Sequence, residues 1–304
     1  MLFMFFYRTS LSSDNDKYLM PHLNPLIRPL LVILLSVVSS FSFSKTPGLV
    51  VYPGYESEYY LSVLLRHVLS YSPDIDYEVR ALGADIPKDR NFELLANNDG
   101  LDVVFAGSNL EREQKYRAVR FPLFKGLYGW RIPLVRGTNA AIFADIHTLE
   151  QFKKLKPGQF HTWSDNLVLE ANGITVVKGS DLEGLFGMLS KGRFDYFPRS
   201  ILELDYDYNQ HKHFNIAIDP YIIMHYPSAF YFYVSKENTV LAQQLLQGLE
   251  MAHKDGSMNA LFMRYYGEQV NAVKSAKRRL ISLDNPLLPK ETPLERKDLW
   301  IDLL

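Results

Sequence analysis

One residue whose type suits ligand binding is Arg112, which lies in the run Leu-Glu-Arg-Glu and follows Ser108 by four residues. A guanidinium presents two parallel N–H donors that match the two oxygens of a planar carboxylate, and such a pair is strong where water is excluded. The hydroxyl of Ser108 would add a further hydrogen bond. Taken alone, the order Glu111, Arg112, Glu113 is more typical of a solvated charge run on a protein surface.

A second polar group, made of Thr162, Trp163, Ser164 and Asp165, lies where a predicted strand passes into a predicted helix. Ser164 or Asp165 fits the N-cap position of that helix. The first turn of a helix carries free N–H groups, which suit an anionic part of a ligand. The alternative is that Ser164 only caps the helix and Trp163 only packs against the protein.

Two further segments carry candidate ligand residues at the ends of predicted strands. Asp195, Tyr196 and Arg199 end one strand, and Tyr52 and Tyr55 follow another. Arg199 has the alternative role of a structural or surface residue. Because the chain contains 19 tyrosines, packing is the competing explanation for the two tyrosines.

The composition excludes several classes of function. The 304-residue chain has no cysteine, which excludes a thiol nucleophile, a disulfide scaffold and a Cys-ligated metal centre. Its formal net charge of -1 argues against a protein that coats nucleic acid. Motifs of serine hydrolases, zinc proteases, P-loop proteins and dinucleotide-binding enzymes are not found, and His211 and His213 point to opposite sides of an extended chain with no third ligand nearby. We therefore expect no enzymatic activity, no metal and no cofactor.

The N-terminal segment 1–44 has the anatomy of a secretory signal with an upstream extension. Arg28 precedes the apolar run 30–38, and Ser42 and Ser44 precede the predicted cleavage site at Lys45. The run is shorter than the about 20 apolar residues of a membrane span, although an uncleaved anchor is the alternative, and Met20 is an alternative start. Without a cysteine after the signal, no lipid anchor is expected. The sequence therefore predicts a soluble protein exported to the periplasm.

From residue 45 onward, predicted strands and helices alternate in two blocks separated by aromatic-rich extended stretches. Strands are predicted at 49–52, 77–82, 101–106, 160–163, 174–177 and 194–197. Helices are predicted at 57–71, 92–96, 164–171, 182–189, 239–253 and 258–266. The extended stretches are 117–135 and 216–234. Such alternation predicts parallel sheets covered by helices on both faces.

The two blocks predict two lobes, and the chain passes between them near 122–130 and 218–228. We expect residues 45–124 and 226–304 to form lobe 1 and residues 125–225 to form lobe 2. Two crossings place a cleft between the lobes above a hinge. Clefts of this kind bind small ligands and close around them.

Four segments resemble type II periplasmic solute-binding proteins of family 3, which serve polar amino-acid ABC transporters. These segments are Leu101–Glu113, Val119–Gly126, Asp195–Pro198 and Lys254–Gly267. The last is the most specific, with an Asp-Gly-small turn followed by an aromatic pair and a glycine. The resemblance covers about residues 45–270 and implies an α/β, two-lobe periplasmic-binding-protein-like type II fold with a central ligand cleft and two hinge crossings.

The resemblance also implies roles for individual residues. Arg112 matches the arginine that pairs with the ligand's carboxylate, and Tyr55 lies where the family often places an aromatic that stacks on the ligand. The family has an acidic residue after the second-lobe strand, which holds the ligand's ammonium group. This chain has Arg199 and Ser200 near that place. A cation there would repel an ammonium group, which weighs against an ordinary α-amino acid.

The sequence thus predicts a monomeric binding protein that captures a small polar solute, bearing a carboxylate, for an ABC permease. The predicted ligand-binding residues are Arg112, Ser108, Tyr55, Thr162, Trp163, Asp165 and Arg199. One alternative is a ligand-sensing module that partners a membrane signalling protein. Another is an enzyme on the same scaffold, for which Glu56, Glu111 and Asp165 are candidates for an acid by position alone.

Overall fold

The computed structural model describes residues 45–304. The predicted signal segment, its cleavage site and the alternative start at Met20 lie outside the described residues. The strands are β1 (Thr46–Tyr52), β2 (Ile75–Ala81), β3 (Val104–Gly107), β4 (Arg117–Val119), β5 (Trp130–Arg136), β6 (Gly158–Phe160), β7 (Val177–Gly179), β8 (Tyr196–Ser200), β9 (Ile216–Ile218), β10 (Ile222–His225), β11 (Phe230–Val234) and β12 (Arg279–Ser282). The helices are α1 (Tyr60–Leu69), α2 (Lys88–Ala96), α3 (Leu110–Lys115), α4 (Leu149–Phe152), α5 (Asp165–Ala171), α6 (Leu182–Ser190), α7 (Leu204–His211), α8 (Thr239–Lys254) and α9 (Ser257–Ser275). Within this range, no helix has the length and apolar character needed to cross a membrane.

The first lobe is built on two small sheets that meet at Asp102. Strands β1 and β2 pair in parallel along their whole lengths, while β11 lies between β3 and β4 and is antiparallel to both. The backbone N–H of Val51 on β1 donates to the Asp102 carboxylate at 2.8 Å, and the Val51 carbonyl accepts from the N–H of Asp102 at 2.9 Å. The carboxylate therefore takes the place of a strand partner between the two sheets.

The second lobe is built on a mixed sheet with the strand order β12-β10-β5-β8, in which β9 also pairs with β5. Strand β5 is antiparallel to β8, β9 and β10, and β6 and β7 form a separate parallel pair. The predicted parallel sheets are thus correct for β1 with β2 and for β6 with β7, but wrong for the central strands. The two aromatic-rich stretches run back between the lobes and supply β5 and β11, which pair antiparallel with their neighbours.

The C-terminal segment contacts the sheets of both lobes. Residues 226–304 are predicted to lie in lobe 1, yet β12 pairs in parallel with β10 of the second-lobe sheet. The tail then returns, and the N–H of Ile301 donates to the carbonyl of Lys125 at 2.9 Å, while Leu299 and Leu303 are buried in the core. The edge of β10 needs a backbone partner, and β12 provides it. The tail therefore adds a third passage between the lobes.

The core of the first lobe is organised around Tyr60 at the start of α1. Its hydroxyl donates to the carbonyl of Leu123 at 2.9 Å. Three aromatic rings, those of Phe124, Tyr265 and Tyr266, lie within 5.5 Å of the Tyr60 ring, centroid to centroid. The apolar positions that predicted this helix are all buried, namely Leu61, Leu64, Leu65, Val68 and Leu69. The helical prediction for this segment is therefore confirmed together with its core face.

The two crossing strands approach each other closely at Gly129. A Cβ atom placed on Gly129 would lie 1.9 Å from the backbone oxygen of Tyr226. The N–H of Tyr226 also donates to the carbonyl of Gly129 at 3.2 Å. Only glycine allows this approach, so the first and second crossings meet at a fixed point beneath the cleft.

The contact of α8 with α1 requires a glycine in the same way, at Gly248. A Cβ atom there would lie 2.0 Å from the backbone oxygen of Val68. Gly248→Ala should lower the free energy of unfolding by about 1–3 kcal/mol, the usual cost of overpacking a core, although alanine is the better helix former by about 1 kcal/mol. Urea unfolding measures the effect.

Gly187→Ala on α6 is the matched control. The nearest atom to its added Cβ, Phe214 Cε1, is 3.6 Å away, so this variant should be as stable as the wild type or more stable. Equal stability of the two variants would contradict the close contact of α8 with α1.

Candidate functional site

A cleft of about 850 Å³ is lined by residues of both lobes and of the crossing strands. Six of the predicted ligand-binding residues line it: Ser108, Arg112, Thr162, Trp163, Asp165 and Arg199. Its volume is in the range of small-molecule sites. The fold thus brings together residues that are almost a hundred positions apart in the chain.

The first-lobe wall of the cleft carries Arg112 on α3. The Asn109 side chain caps this short helix by accepting from the N–H of Arg112 at 2.8 Å. The guanidinium donates through Nη1 to the carbonyl of Gly107, and its central carbon lies 5.0 Å from the centroid of the Phe92 ring. These contacts orient the arginine without neutralising its charge. Ser108 donates its hydroxyl to Glu113 at 2.5 Å, so only its acceptor capacity remains for a ligand.

Lys88, the first residue of α2, lies on the same wall and was not predicted. Lys88 is exposed to solvent, but desolvation by the surrounding protein and repulsion from Arg112 outweigh the attraction of Asp89 and lower the pKa of its amino group to about 8. The only sequence signal for this residue was its position at the start of a helix after Pro87. This wall therefore carries two cations.

Asp165 is engaged within the protein. Its carboxylate forms an ion pair with Arg131 on β5 at 2.5 Å and accepts the hydroxyl hydrogen of Tyr226. Burial is the largest single effect and alone would lower the pKa of Arg131, but Asp165, Tyr226 and Glu203 together outweigh it and the pKa is raised, so the arginine stays charged. The predicted capping also differs, because Ser164 occupies the N-cap position of α5 without a side-chain cap hydrogen bond.

Arg199 lies in the cleft as predicted, but its charge is compensated. It is 4% exposed, and its Nε donates to Asp207 at 2.5 Å while Nη2 pairs with Glu203 at 3.1 Å. Its guanidinium stacks against Trp163, with 4.8 Å between the central carbon and the ring centroid. The two carboxylates therefore offset the positive charge that was expected to repel an ammonium group. The acids that compensate Arg199 on β8 come from the next element, Glu203 at the N-cap of α7 and Asp207 within it.

Glu203 and Tyr128 are cleft residues that sequence reasoning missed. Glu203 is half-buried, lines the cleft and shares Arg199 with the deeper Asp207. The ring of Tyr128 stacks on Phe230, with 5.1 Å between centroids and an interplanar angle of 12°. The cleft thus carries an acid on the second-lobe side and an aromatic platform on the crossing strands.

Comparison with known proteins supports this architecture through structure alone. No family model matches the chain, and no curated protein matches it. Among solved structures, the probable amino-acid ABC transporter extracellular-binding protein YtmK from Bacillus subtilis superposes with a TM-score of 0.52 at 17% identity over 74% of this chain and 99% of that chain. The YckB protein of Bacillus subtilis gives 0.50 at 18% identity over 78% and 96%. An ancestral arginine-binding protein bound to arginine gives 0.50 at 18% identity over 72% and 99%.

The chain has the type II periplasmic-binding-protein fold. The predicted two-lobe α/β architecture is confirmed by these structures. At such low identity the similarity concerns the fold alone.

Within this binding-protein fold, three predicted cleft residues lie elsewhere. Tyr55 is 62% exposed and does not line the cleft. Tyr196 is fully buried and packs against Phe143 and Phe152 in the second-lobe core. Asp195 accepts from the N–H of Lys156 at 2.7 Å. Asp195 and Tyr196 lie away from the cleft because the second-lobe strand extends to Ser200, so that its cleft end comes after Arg199.

Residues 45–304 contain no group of three His, Cys, Asp or Glu side chains that could hold a metal ion. His211 instead packs flat on Phe186, with 3.6 Å between ring centroids, and contacts Glu183.

Both side chains of the Arg199–Asp207 pair are buried, so removing one partner would leave the other charge in a poorly solvated site. Asp207→Asn would leave the guanidinium with only Glu203, and breaking a buried ion pair costs about 3–5 kcal/mol. We expect a loss near the lower end of that range in the free energy of unfolding, measured with urea.

Glu111→Gln provides the control. Glu111 forms an exposed pair with Lys115 at 2.7 Å, and exposed pairs contribute about 0–1 kcal/mol. If the Asp207 variant lost no more stability than the Glu111 variant, the described role of Asp207 would be wrong.

Proposed function

We propose that this chain is an exported solute-binding protein that captures a small polar solute through a carboxylate and delivers it to an ABC permease. The observation that carries the proposal is the state of Arg112. It lines the cleft, and it is among the cleft cations that have no acidic partner within 4.0 Å in residues 45–304. By contrast, Arg131, Lys178 and Arg199 are each paired with an acid.

The ligand's carboxylate would bind Arg112 in the bidentate geometry that suits a guanidinium. The Asn109 cap and the contact with Phe92 already fix the side chain, so little conformational entropy is lost on binding. An ammonium group on the same ligand would be attracted to Glu203 across the cleft. Arg199 pairs with two carboxylates, and the closer contact is with Asp207. One negative charge on this wall, that of Glu203, would therefore remain to attract the ammonium group.

A ligand held in this way would touch both lobes. Contacts to Arg112 on one side and Glu203 on the other exist together only when the cleft is closed, so the ligand would favour the closed state. The lobes would be those predicted from the sequence, with segment 279–287 assigned to the second lobe. The three passages at residues 125–130, 225–229 and 283–287 would form the hinge.

Delivery to a permease is supported by the fold and by the predicted export signal. One protein with this fold is described as a probable amino-acid ABC transporter extracellular-binding protein, and another as an arginine-binding protein bound to arginine. A periplasmic location would place this chain where such proteins meet their solutes. Neither description specifies the solute of this chain.

A thermal-shift screen of amino acids, organic acids and short peptides, followed by calorimetric titration, tests the proposal. A solute present at 100 times its dissociation constant should stabilise the protein by about 2.7 kcal/mol. Arg112→Ala should weaken binding of any such solute by about 10- to 100-fold, since a charge-assisted hydrogen bond contributes about 1.5–3 kcal/mol.

Lys115→Ala is the control for this experiment, because Lys115 lies on the same helix but outside the cleft and is 61% exposed. Its solute affinity should equal that of the wild type. An unchanged affinity in the Arg112 variant would show that the carboxylate is bound elsewhere.

A further inference from the structure

We propose that the solute carries a second anionic group, which Lys88 binds beside the carboxylate held by Arg112. This inference rests on the proposed function and identifies the class of solute as one with two acidic groups close together. It makes Lys88 a residue that determines specificity.

The first step is the placement of Lys88 relative to Arg112. Lys88 and Phe92 lie four residues apart on α2, so their side chains share one face of that helix. The guanidinium of Arg112 lies 5.0 Å from the ring of Phe92. The face of α2 that carries Lys88 is therefore the face that contacts Arg112, and both side chains line the cleft.

The second step is the balance of charge on this wall. Within residues 45–304, neither Lys88 nor Arg112 has a carboxylate within 4.0 Å, and Asp89 is the acidic residue of this wall. The protein environment and the charge of Arg112 lower the pKa of Lys88 to about 8. An anionic group placed between the two cations would remove their repulsion, while a ligand with a single carboxylate on Arg112 would leave the ammonium of Lys88 without an anion.

The third step compares the two walls. The second-lobe cations are compensated by the protein itself, Arg199 by Asp207 at 2.5 Å and Lys178 by Glu170 at 2.7 Å. That wall also presents the carboxylate of Glu203 to the cleft. A second anionic group is therefore attracted to the first-lobe wall rather than across the cleft.

The start of α2 adds to the positive potential around Lys88. The helix is nine residues long, and Pro87 occupies its N-cap position without a side-chain cap hydrogen bond. The first-turn N–H groups and the helix dipole both favour an anion at this end. This contribution would strengthen the attraction that the two side chains create.

Calorimetric titration with matched acid and amide pairs tests the inference. The probes are L-glutamate against L-glutamine, L-aspartate against L-asparagine, and the dipeptide Gly-Glu against Gly-Gln. The wild type should bind the acid of at least one pair about tenfold more tightly than its amide. Lys88→Gln should reduce that ratio to about one, whereas Lys88→Arg should retain a preference for the acid.

Arg90→Gln is the matched control, since Arg90 lies on the same helix, is exposed and pairs with Glu93 at 2.8 Å. It should keep the wild-type ratio. A wild-type preference for the amides, or an acid preference that survives in Lys88→Gln, would overturn the role of Lys88.

The two proposals fail in different ways. If the amides bind in an Arg112-dependent manner and the acids bind no better, the second anionic group is wrong and the proposed function stands. If none of the six probes binds, the inference about Lys88 is rejected, and the wider solute screen decides the proposed function.

Discussion

The carboxylate of Asp165 is the contact on which the geometry of the cleft depends. It joins the first residue of α5 to Arg131 on the first crossing strand and to Tyr226 on the second. Removing charges from water is costly unless they are paired and hydrogen-bonded. The side chains of Asp165, Arg131 and Tyr226 are therefore fixed relative to one another. The close approach of Gly129 to Tyr226 fixes the same point from the backbone. The second-lobe wall of the cleft is thereby positioned relative to the hinge.

The charges of the cleft fall into two groups with different physical roles. Arg131, Lys178 and Arg199 are compensated by acids of the protein and hold its shape. Arg112 is oriented by neutral partners, a backbone carbonyl and an aromatic ring. Neutral partners restrict a cation without removing its attraction for an anion. Such a cation can bind an anionic ligand strongly. An arginine whose charge the protein already neutralises would gain little electrostatic free energy from the same contact.

Much of the fold could be predicted because local patterns coincide with buried faces. The spacing of Leu61, Leu64, Leu65 and Val68 predicted α1, and these side chains are its buried face. The directions of β5 and β11 could not be predicted, because an aromatic-rich extended stretch pairs equally well in either direction until its neighbours are known. The pairing of β12 could not be predicted either, since this short strand is selected by the open edge of β10 and has no strong pattern of its own. The buried Leu299 and Leu303 show that the tail also contributes to the core.

Six of the seven predicted ligand residues line the cleft. Residue type and strand position did not predict which of their charges are compensated by other side chains of the protein. Residue type and position within an element determined that Arg112, Asp165 and Arg199 would lie near the ends of strands or the starts of helices. Which of them is compensated was decided only by tertiary structure, because Asp165 meets Arg131 and Tyr226 from distant segments. The same holds for Lys88, whose relation to Arg112 arises from the packing of α2 against α3 through Phe92. The sequence by itself determined the inventory of charges and the elements that carry them. The folded structure decided which charges are neutralised, because Coulomb energy and desolvation depend on distances that the order of residues does not contain.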